Sequence, residues 1–196
     1  MSYLIKRFEG HLNALNTTRK KVEKLYARGL LVRRDIERIY EGIFLDAITS
    51  TEAMLENIFI QYLVSKKNRG AIARIQVNSH NVARDVLLGG DKRYLDWLPY
   101  DKTEKRAKAF FRGGRPFTQL NSIYKQNLSE MLDIRNAIAH ESSHAKAKFD
   151  KLIHGKPLLP HEKTPSGYLR SKIDPDTTRY QFYASEMVGI IRYLHL

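Results

Sequence analysis

Apolar residues recur at the three- and four-residue spacing of an α-helix along most of the 196-residue chain. The first stripe predicts a helix over residues 3–28, which Gly29 is suited to end. A second stripe predicts a long helix over 31–63, and a less regular one predicts a helix over 71–88. No segment shows the apolar–polar alternation of a half-buried strand.

Helical patterns continue in the second half of the chain. Asp101 is placed to cap a helix that ends near Phe111, and Thr118 to cap the main helix over about 119–141. Two further patterns cover about 144–153 and 180–196. The predicted fold class is all-α: a bundle of four to five long helices with a loop-rich C-terminal arm and a final helix.

A change in composition after residue 154 predicts the domain organisation. Residues 1–154 are expected to form the helical bundle, 155–180 the arm, and 181–196 a helix that packs on the same domain. The arm holds four of the six prolines in the chain, and long loops in compact domains are usually functional or disordered. Three alternatives stay open for the arm: it binds RNA, it clasps a second subunit, or it is a solvated tail.

The charge balance is the unusual part of the composition. Lys and Arg number 34 against 21 Asp and Glu, a net charge of +13. Such an excess favours a polyanionic partner, most commonly nucleic acid; the alternative is a basic but inert surface. The chain has no cysteine, which excludes disulfides and thiolate metal sites and fits a reducing cytoplasm. No segment approaches the roughly 20 apolar residues of a membrane span, and we expect neither membrane attachment nor a signal peptide.

The strongest candidate chemistry lies near the end of the main helix, in the run 135–140. Arg135 and His140 stand five residues apart, and Asn136 directly follows the arginine. A guanidinium can neutralise a phosphodiester while an imidazole moves protons near neutral pH. The alternative is structural, because Arg and His are also favoured at helix C-termini by the helix dipole.

Ideal helix geometry constrains how this pair can act. Five residues advance it by about 7.5 Å along the axis and about 140° around it. The two side chains are therefore expected not to stack on each other, but to flank a groove whose other wall comes from a second helix or a second subunit. Arg135 also continues the apolar row of the helix, where an arginine is costly unless paired, ligand-bound or at an interface.

The run 130–141 resembles the signature of the HEPN superfamily and, within it, the RiboL-PSP-HEPN type. That signature is an arginine, four to six residues and a histidine, commonly with a polar residue after the arginine. Arg135, Asn136 and His140 match it in its shortest spacing. The segment 47–56 is similar to the acidic amphipathic helix that precedes the motif in many members. The resemblance covers about 31–154 and implies a HEPN-like bundle.

The resemblance implies metal-independent RNA cleavage with no cofactor, at a site composed of two motifs in a homodimer. His140 would act as general base or acid, and Arg135 would bind the scissile phosphate and stabilise its charge. Asn136 would orient the histidine or bind the phosphate. Attack by the ribose 2′-hydroxyl would leave a 2′,3′-cyclic phosphate and a 5′-hydroxyl.

Other residues are candidates for supporting roles. Glu52 or Glu56 would pair with Arg135, Glu52 being preferred, although a solvent-facing glutamate is an equal alternative. A basic segment is expected to track an RNA backbone: Lys102, Lys105, Arg106, Lys108, Arg112 and Arg115. Phe110 and Phe111 lie within it, and we expect them to belong to the core rather than to stack on bases.

Three functions follow as hypotheses. The first is a cytoplasmic homodimeric endoribonuclease, a toxin or antiviral-defence effector with an antitoxin or regulatory partner. The second is a catalytically silent HEPN-like module that binds RNA, nucleotide or protein. The third is a helical DNA-binding or scaffold protein. A metal site at His140 and His144 with Glu141 is disfavoured, because the HExxH order and further ligands are absent.

Overall fold

A computed structural model describes residues 3–65, 71–89 and 94–195. These residues contain eight α-helices and no β-strand, which confirms the all-α prediction. Four of the helices have 16 residues or more. In chain order, the helices are α1 Tyr3–Ala27, α2 Arg33–Val64, α3 His80–Leu88, α4 Tyr100–Phe110, α5 Ser122–Ala139, α6 Ser143–Ile153, α7 Pro165–Arg170 and α8 Arg179–Leu194.

The end of α1 and the start of α5 test two signals that were predicted from the sequence. Gly29 has a φ of 72° just after α1, as expected for a glycine that ends a helix. The predicted cap of α5 was wrong, because the Asn121 side chain, not Thr118, accepts a hydrogen bond from the backbone N–H of Tyr124 at 2.8 Å. Thr118 lies in the preceding short turn Phe117–Gln119, which buries Phe117.

The helix expected over 71–88 is present only from His80, where Ser79 caps it. The residues before Ser79 have another backbone partner. Arg74 N–H donates to the carbonyl of Phe110, and Arg112 N–H donates to the carbonyl of Ile72, both at 2.8 Å. This short antiparallel bridge to a distant segment overrides the local helical pattern.

Close contacts divide the chain into two compact units. Unit 1 comprises Met1–Ser50 and Glu130–Val188. Its buried core includes Phe44 of α2 and Tyr183 of α8, whose rings meet edge to face with centroids 6.3 Å apart. Aromatic pairs of this kind add to the stabilisation that comes from burial.

The predicted arm, 155–180, falls within unit 1 and is not a solvated tail. Its helix α7 buries Ser166, Gly167, Tyr168 and Leu169. A Cβ on Gly167 would lie 2.1 Å from the carbonyl oxygen of His161. Only glycine allows that close approach of the chain to itself, so this part of the arm has one packed conformation.

Unit 2 comprises Thr51–Ser129 and Gly189–Leu196. Its core is an aromatic cluster around Phe59, whose ring centroid lies 4.8 Å from that of Phe111 and 5.2 Å from that of Trp97. Phe111 is fully buried, which confirms its assignment to the core, and Phe110 contacts Phe59 from the end of α4.

Candidate active site

The candidate motif occupies the C-terminal end of α5, in unit 1. Met131 and Ile134 are buried and anchor this part of the helix, while Arg135 and Asn136 are half-buried beside them. His140 lies one residue beyond the helix and is exposed, although its N–H still donates to the Asn136 carbonyl at 2.9 Å. The buried row therefore positions the polar residues at the surface of unit 1.

The three motif side chains contact one another within a single chain. Arg135 Nη1 lies 2.9 Å from Asn136 Oδ1 and 3.3 Å from His140 Nε2. Arg135 and His140 meet through a hydrogen bond and not by stacking, a contact that helix geometry alone did not predict; a groove completed by a second helix or subunit stays a prediction. Ideal helix geometry ignores the reach of the arginine side chain, and His140 is already outside the helix, where the next turn does not restrict its rotamer.

The contact between Arg135 and His140 specifies the chemistry of both groups. A guanidinium has only donors, so a hydrogen bond between them makes His140 Nε2 the acceptor. The proton of the neutral imidazole is then on Nδ1, and the Nε2 lone pair is the one available to take a proton. Asn136 accepts a hydrogen bond from the arginine rather than contacting the histidine, so it orients the Arg135 side chain.

A cleft of about 660 Å³ opens beside His140, entirely within unit 1. One wall is a face of α6, and another is the segment at the start of α7, residues 163–165. The lining residues are Ala137, His140, Glu141, Ser142, Ser143, Lys146, Phe149, Asp150, Lys163, Thr164 and Pro165. Ligand sites commonly have volumes of roughly 300–1,000 Å³. No local pattern predicted this cleft, since it is lined by two separate segments of the chain, 137–150 and 163–165.

Another face of α6 turns toward α5 instead. Burial raises the pKa of the Asp133 carboxyl, and the charges of Lys148 and His144 act against that rise. Lys148 and His144 do not line the cleft, although both are exposed residues of the same helix. They are therefore matched controls for the cleft residues.

The predicted supporting carboxylates belong to unit 2. Glu56 accepts hydrogen bonds from Arg84 Nη2 at 2.5 Å and from Trp97 Nε1 at 3.1 Å, through different carboxylate oxygens. These bonds give Glu56 a structural role in unit 2. Glu52 is half-buried, and its pairing with Arg135 stays a prediction.

The six predicted RNA-binding residues divide into two groups. Lys102 pairs with Asp96 at 2.9 Å, Lys105 pairs with Asp101 at 3.3 Å, and Arg106 lies over the Trp97 ring at 4.6 Å. The other three are exposed and form no ion pair with the described residues of unit 2. These are Lys108, Arg112 and Arg115.

Arg74 is a fourth exposed cation that forms no ion pair with the described residues of unit 2, and it was not among the predicted RNA-binding residues. The bridge between 72–74 and 110–112 places Arg74 and Arg112 on the same face, because side chains alternate across such a bridge. Gly114 brings the next residue, Arg115, close to Lys108: a Cβ on Gly114 would lie 3.0 Å from Lys108 Cγ. We call these four residues the basic patch: Arg74, Lys108, Arg112 and Arg115.

Two further findings concern other classes of site. Within 3–65, 71–89 and 94–195, no three His, Cys, Asp or Glu residues form a group that could hold a metal ion. None of the helices in these ranges is long and apolar enough to cross a bilayer.

The chain was compared with protein-family models, curated proteins and solved structures, and none of the three comparisons finds a match. A functional assignment therefore depends on the geometry of the motif and the chemistry of its residues.

Proposed function

We propose that the protein is a metal-independent endoribonuclease of the HEPN type. The contact of Arg135 with both Asn136 and His140 is the observation that carries the proposal. It brings a phosphate-binding cation within 3.3 Å of a proton acceptor at an exposed helix end. A pair used only to stabilise the helix terminus would not need the asparagine that orients the arginine.

The geometry suggests how RNA would activate the site. In the free protein the Nε2 lone pair of His140 accepts a hydrogen bond from Arg135. Charge-assisted bonds from a guanidinium to phosphate are stronger than its bonds to neutral acceptors. The scissile phosphate would therefore draw the Arg135 donors away, leaving Nε2 free to take the proton of the ribose 2′-hydroxyl. Arg135 would then stabilise the charge that develops on the phosphorane oxygens.

Cleavage also needs an acid for the departing 5′-oxygen, and one motif holds a single imidazole. We infer that a second copy of the chain supplies it, so that two motifs face one phosphate. A histidine can serve as base in one copy and as acid in the other. The oxygen attacks phosphorus, the P–O5′ bond breaks, and a 2′,3′-cyclic phosphate and a 5′-hydroxyl result.

The basic patch of unit 2 supports RNA as the partner. These four exposed cations, which form no ion pair with the described residues of that unit, repel one another, and a polyanion relieves the repulsion. Two apolar side chains beside the patch are also exposed, Ile72 by 62% and Ile75 by 50%. We propose that this patch follows the sugar–phosphate backbone.

The proposal is tested with purified protein and a mixed RNA substrate in the presence of EDTA. We expect cleavage with 2′,3′-cyclic phosphate ends and a loss of about 10³-fold in His140→Ala, the range typical of general acid–base groups. The matched control is His144→Ala, an exposed histidine outside the cleft, which should cleave at the wild-type rate. Wild-type cleavage by His140→Ala would exclude the proposed role of this residue.

The composite site has its own test. Arg135→Ala and His140→Ala proteins are mixed under conditions that exchange subunits, and cleavage is compared with that of each variant alone. Partial recovery supports a site shared between two copies. A monomer by mass measurement that cleaves at the full rate would refute it.

We further propose a role as a toxin or defence effector, held in check by an antitoxin or regulatory protein. Expression of the active chain should arrest growth, whereas His140→Ala should not. RNA binding without any cleavage would favour the silent HEPN-like module instead.

A further inference from the structure

We propose that the cleft beside His140 is a specificity subsite that holds one guanine nucleotide of the RNA strand, next to the scissile phosphate. The inference rests on the proposed function for its choice of RNA, but its evidence is separate. It comes from the charges and shape of a cavity that Arg135 does not line.

Two charged residues along α6 match the two ends of a nucleotide, its phosphate and its base. Lys146 and Asp150 both line the cleft and stand one turn apart, about 6 Å along the helix axis. Lys146 is the nearer to His140 in the chain. A phosphate at Lys146 would therefore have its base near Asp150, since phosphate and base lie at opposite ends of a nucleotide.

A second segment adds another cation. Lys163, in the segment before α7, also lines the cleft, and the two lysines would share one phosphate. Neither lysine forms an ion pair with the described residues of unit 1, and neither does Asp150. Opposite charges that line one cavity without pairing are available to a ligand that carries both a negative group and hydrogen-bond donors.

The cleft also offers apolar surface for a base. Phe149 and the half-buried Pro165 both line it, Phe149 with only 3% of its surface exposed. Phe149 is held in place by an edge contact with Tyr168, their centroids 5.9 Å apart. Flat nucleobases gain free energy from contact with aromatic and apolar groups.

The walls are built before any ligand arrives. Ser142 Oγ accepts a hydrogen bond from Ala145 N–H at 3.1 Å, and Thr164 Oγ1 accepts one from Gly167 N–H at 3.1 Å. Each bond caps the start of one wall helix. The missing side chain of Gly167 lets the loop before α7 fold back on itself. A pre-formed cavity loses less entropy on binding than one that must be ordered.

Asp150 selects the base through its chemistry. An ionised carboxylate has only acceptors. Guanine presents two adjacent donors, N1–H and N2–H₂, to such a pair of oxygens. Adenine and cytosine present one amino group beside a ring acceptor, and uracil presents one N–H between two carbonyl oxygens. The carboxylate therefore satisfies guanine best and meets an acceptor in each of the others.

The test measures binding apart from cleavage. His140→Ala protein is titrated by calorimetry with the four ribonucleoside 3′-monophosphates, and then with short oligonucleotides that contain one guanosine or none. We expect guanosine 3′-monophosphate to bind at least tenfold more tightly than the uridine compound. Tighter binding of the guanosine oligonucleotide than of the mononucleotide would identify RNA, rather than a free nucleotide, as the ligand.

Cleft variants and controls complete the experiment. Lys146→Ala and Lys163→Ala should each weaken binding about tenfold, and Asp150→Asn should remove the preference for guanine. The control Lys148→Ala, on the other face of α6, should change neither. Equal affinity for all four bases, or binding that ignores the three cleft substitutions, overturns the inference.

The outcomes also separate this inference from the proposed function. Selective binding that depends on the cleft, without cleavage by wild-type protein, would sustain the subsite and refute the ribonuclease. Cleavage at wild-type rate and with unchanged sequence preference in all three cleft variants would sustain the ribonuclease and refute the subsite.

Discussion

Two half-buried arginines of unit 1 have opposite surroundings. Arg170, at the end of α7, donates to both carboxylate oxygens of Glu23 at 3.2 and 3.4 Å, and its guanidinium lies 4.9 Å from the centre of the Tyr26 ring. Arg135 donates to a neutral amide and a neutral imidazole nitrogen. Within unit 1, no described carboxylate pairs with it.

This difference shows how a structural cation can be distinguished from one suited to a ligand. The charge of Arg170 is neutralised inside the fold, so its interactions stabilise the folded state. The charge of Arg135 has no counter-charge among the described residues of its own unit, and a partly buried charge in that condition is costly until an anion arrives. Burial alone would have ranked the two residues alike.

The largest expected effect is on activity at Arg135. Arg135→Ala should reduce RNA cleavage by about 10³-fold, because the developing phosphate charge loses its main partner. The free energy of unfolding should change by less than about 1 kcal/mol, since no counter-charge is left behind in unit 1. Cleavage rates and urea unfolding measure the two quantities. A large loss of stability with retained activity per folded molecule would reverse the assignment.

Arg170→Ala should give the opposite pattern. We expect a loss of about 2 kcal/mol in the free energy of unfolding, because Glu23 is left without its bidentate partner and the tyrosine rings lose a cation. Cleavage by the folded fraction should stay at the wild-type rate. The control is Lys172→Ala, an exposed cation two residues away, which should leave both quantities near wild type.

A smaller effect is expected for Arg135→Lys, which keeps the charge and removes the fork of donors. Lysine can contact the phosphate but cannot bind it in a bidentate manner while also contacting Asn136 and His140. Cleavage should fall about tenfold relative to wild type, clearly less than in Arg135→Ala. Equal losses in the two variants would mean that charge is not what Arg135 contributes.

The smallest effect concerns two buried tyrosines of unit 1 whose rings contact each other edge to face, Tyr40 and Tyr180. The Tyr40 hydroxyl donates to Glu23 at 2.7 Å, whereas the buried Tyr180 hydroxyl has no hydrogen-bond partner among the described residues. Tyr180→Phe should therefore leave stability unchanged or raise it by up to about 1 kcal/mol, while Tyr40→Phe should lower it by about 1 kcal/mol. Thermal unfolding of both variants, compared with wild type, measures the difference.

The dependence of stability on alkaline pH gives a further test of Tyr180. Burial raises the pKa of Tyr180 to about 12, against 10.0 for a free tyrosine. The unfolded chain therefore releases this proton first as pH rises above 10, and the folded state loses stability between pH 10 and 12. Tyr180→Phe should lose less stability than wild type in that range.

The sequence predicted the helices well because their apolar stripes face a core. It placed α1, α2, α6 and α8 within a few residues of their observed bounds. It failed over 71–79, where backbone bonds to Phe110 and Arg112 override local preference. That failure is also why Arg74 was missed, since its neighbour Arg112 is distant in the chain.

The candidate site was predicted in part. Residue types and spacing identified Arg135, Asn136 and His140, and the structure shows that their side chains meet. Helix geometry did not predict the hydrogen bond between Arg135 and His140, because it describes Cα directions and not the reach of a side chain. The cleft depends on Lys163 and Thr164 lining it together with α6, a long-range contact that no local pattern encodes.

The connector between α5 and α6 has a practical consequence for experiments on the protein. Only residues 140–142 separate the two helices, and the last of them, Ser142, caps α6. One glycine inserted after Glu141 would keep His140 in register with α5 and leave its contact with Arg135 intact, but it would shift α6 relative to the histidine. This insertion variant would therefore separate the contribution of the motif from that of the cleft in cleavage and binding assays.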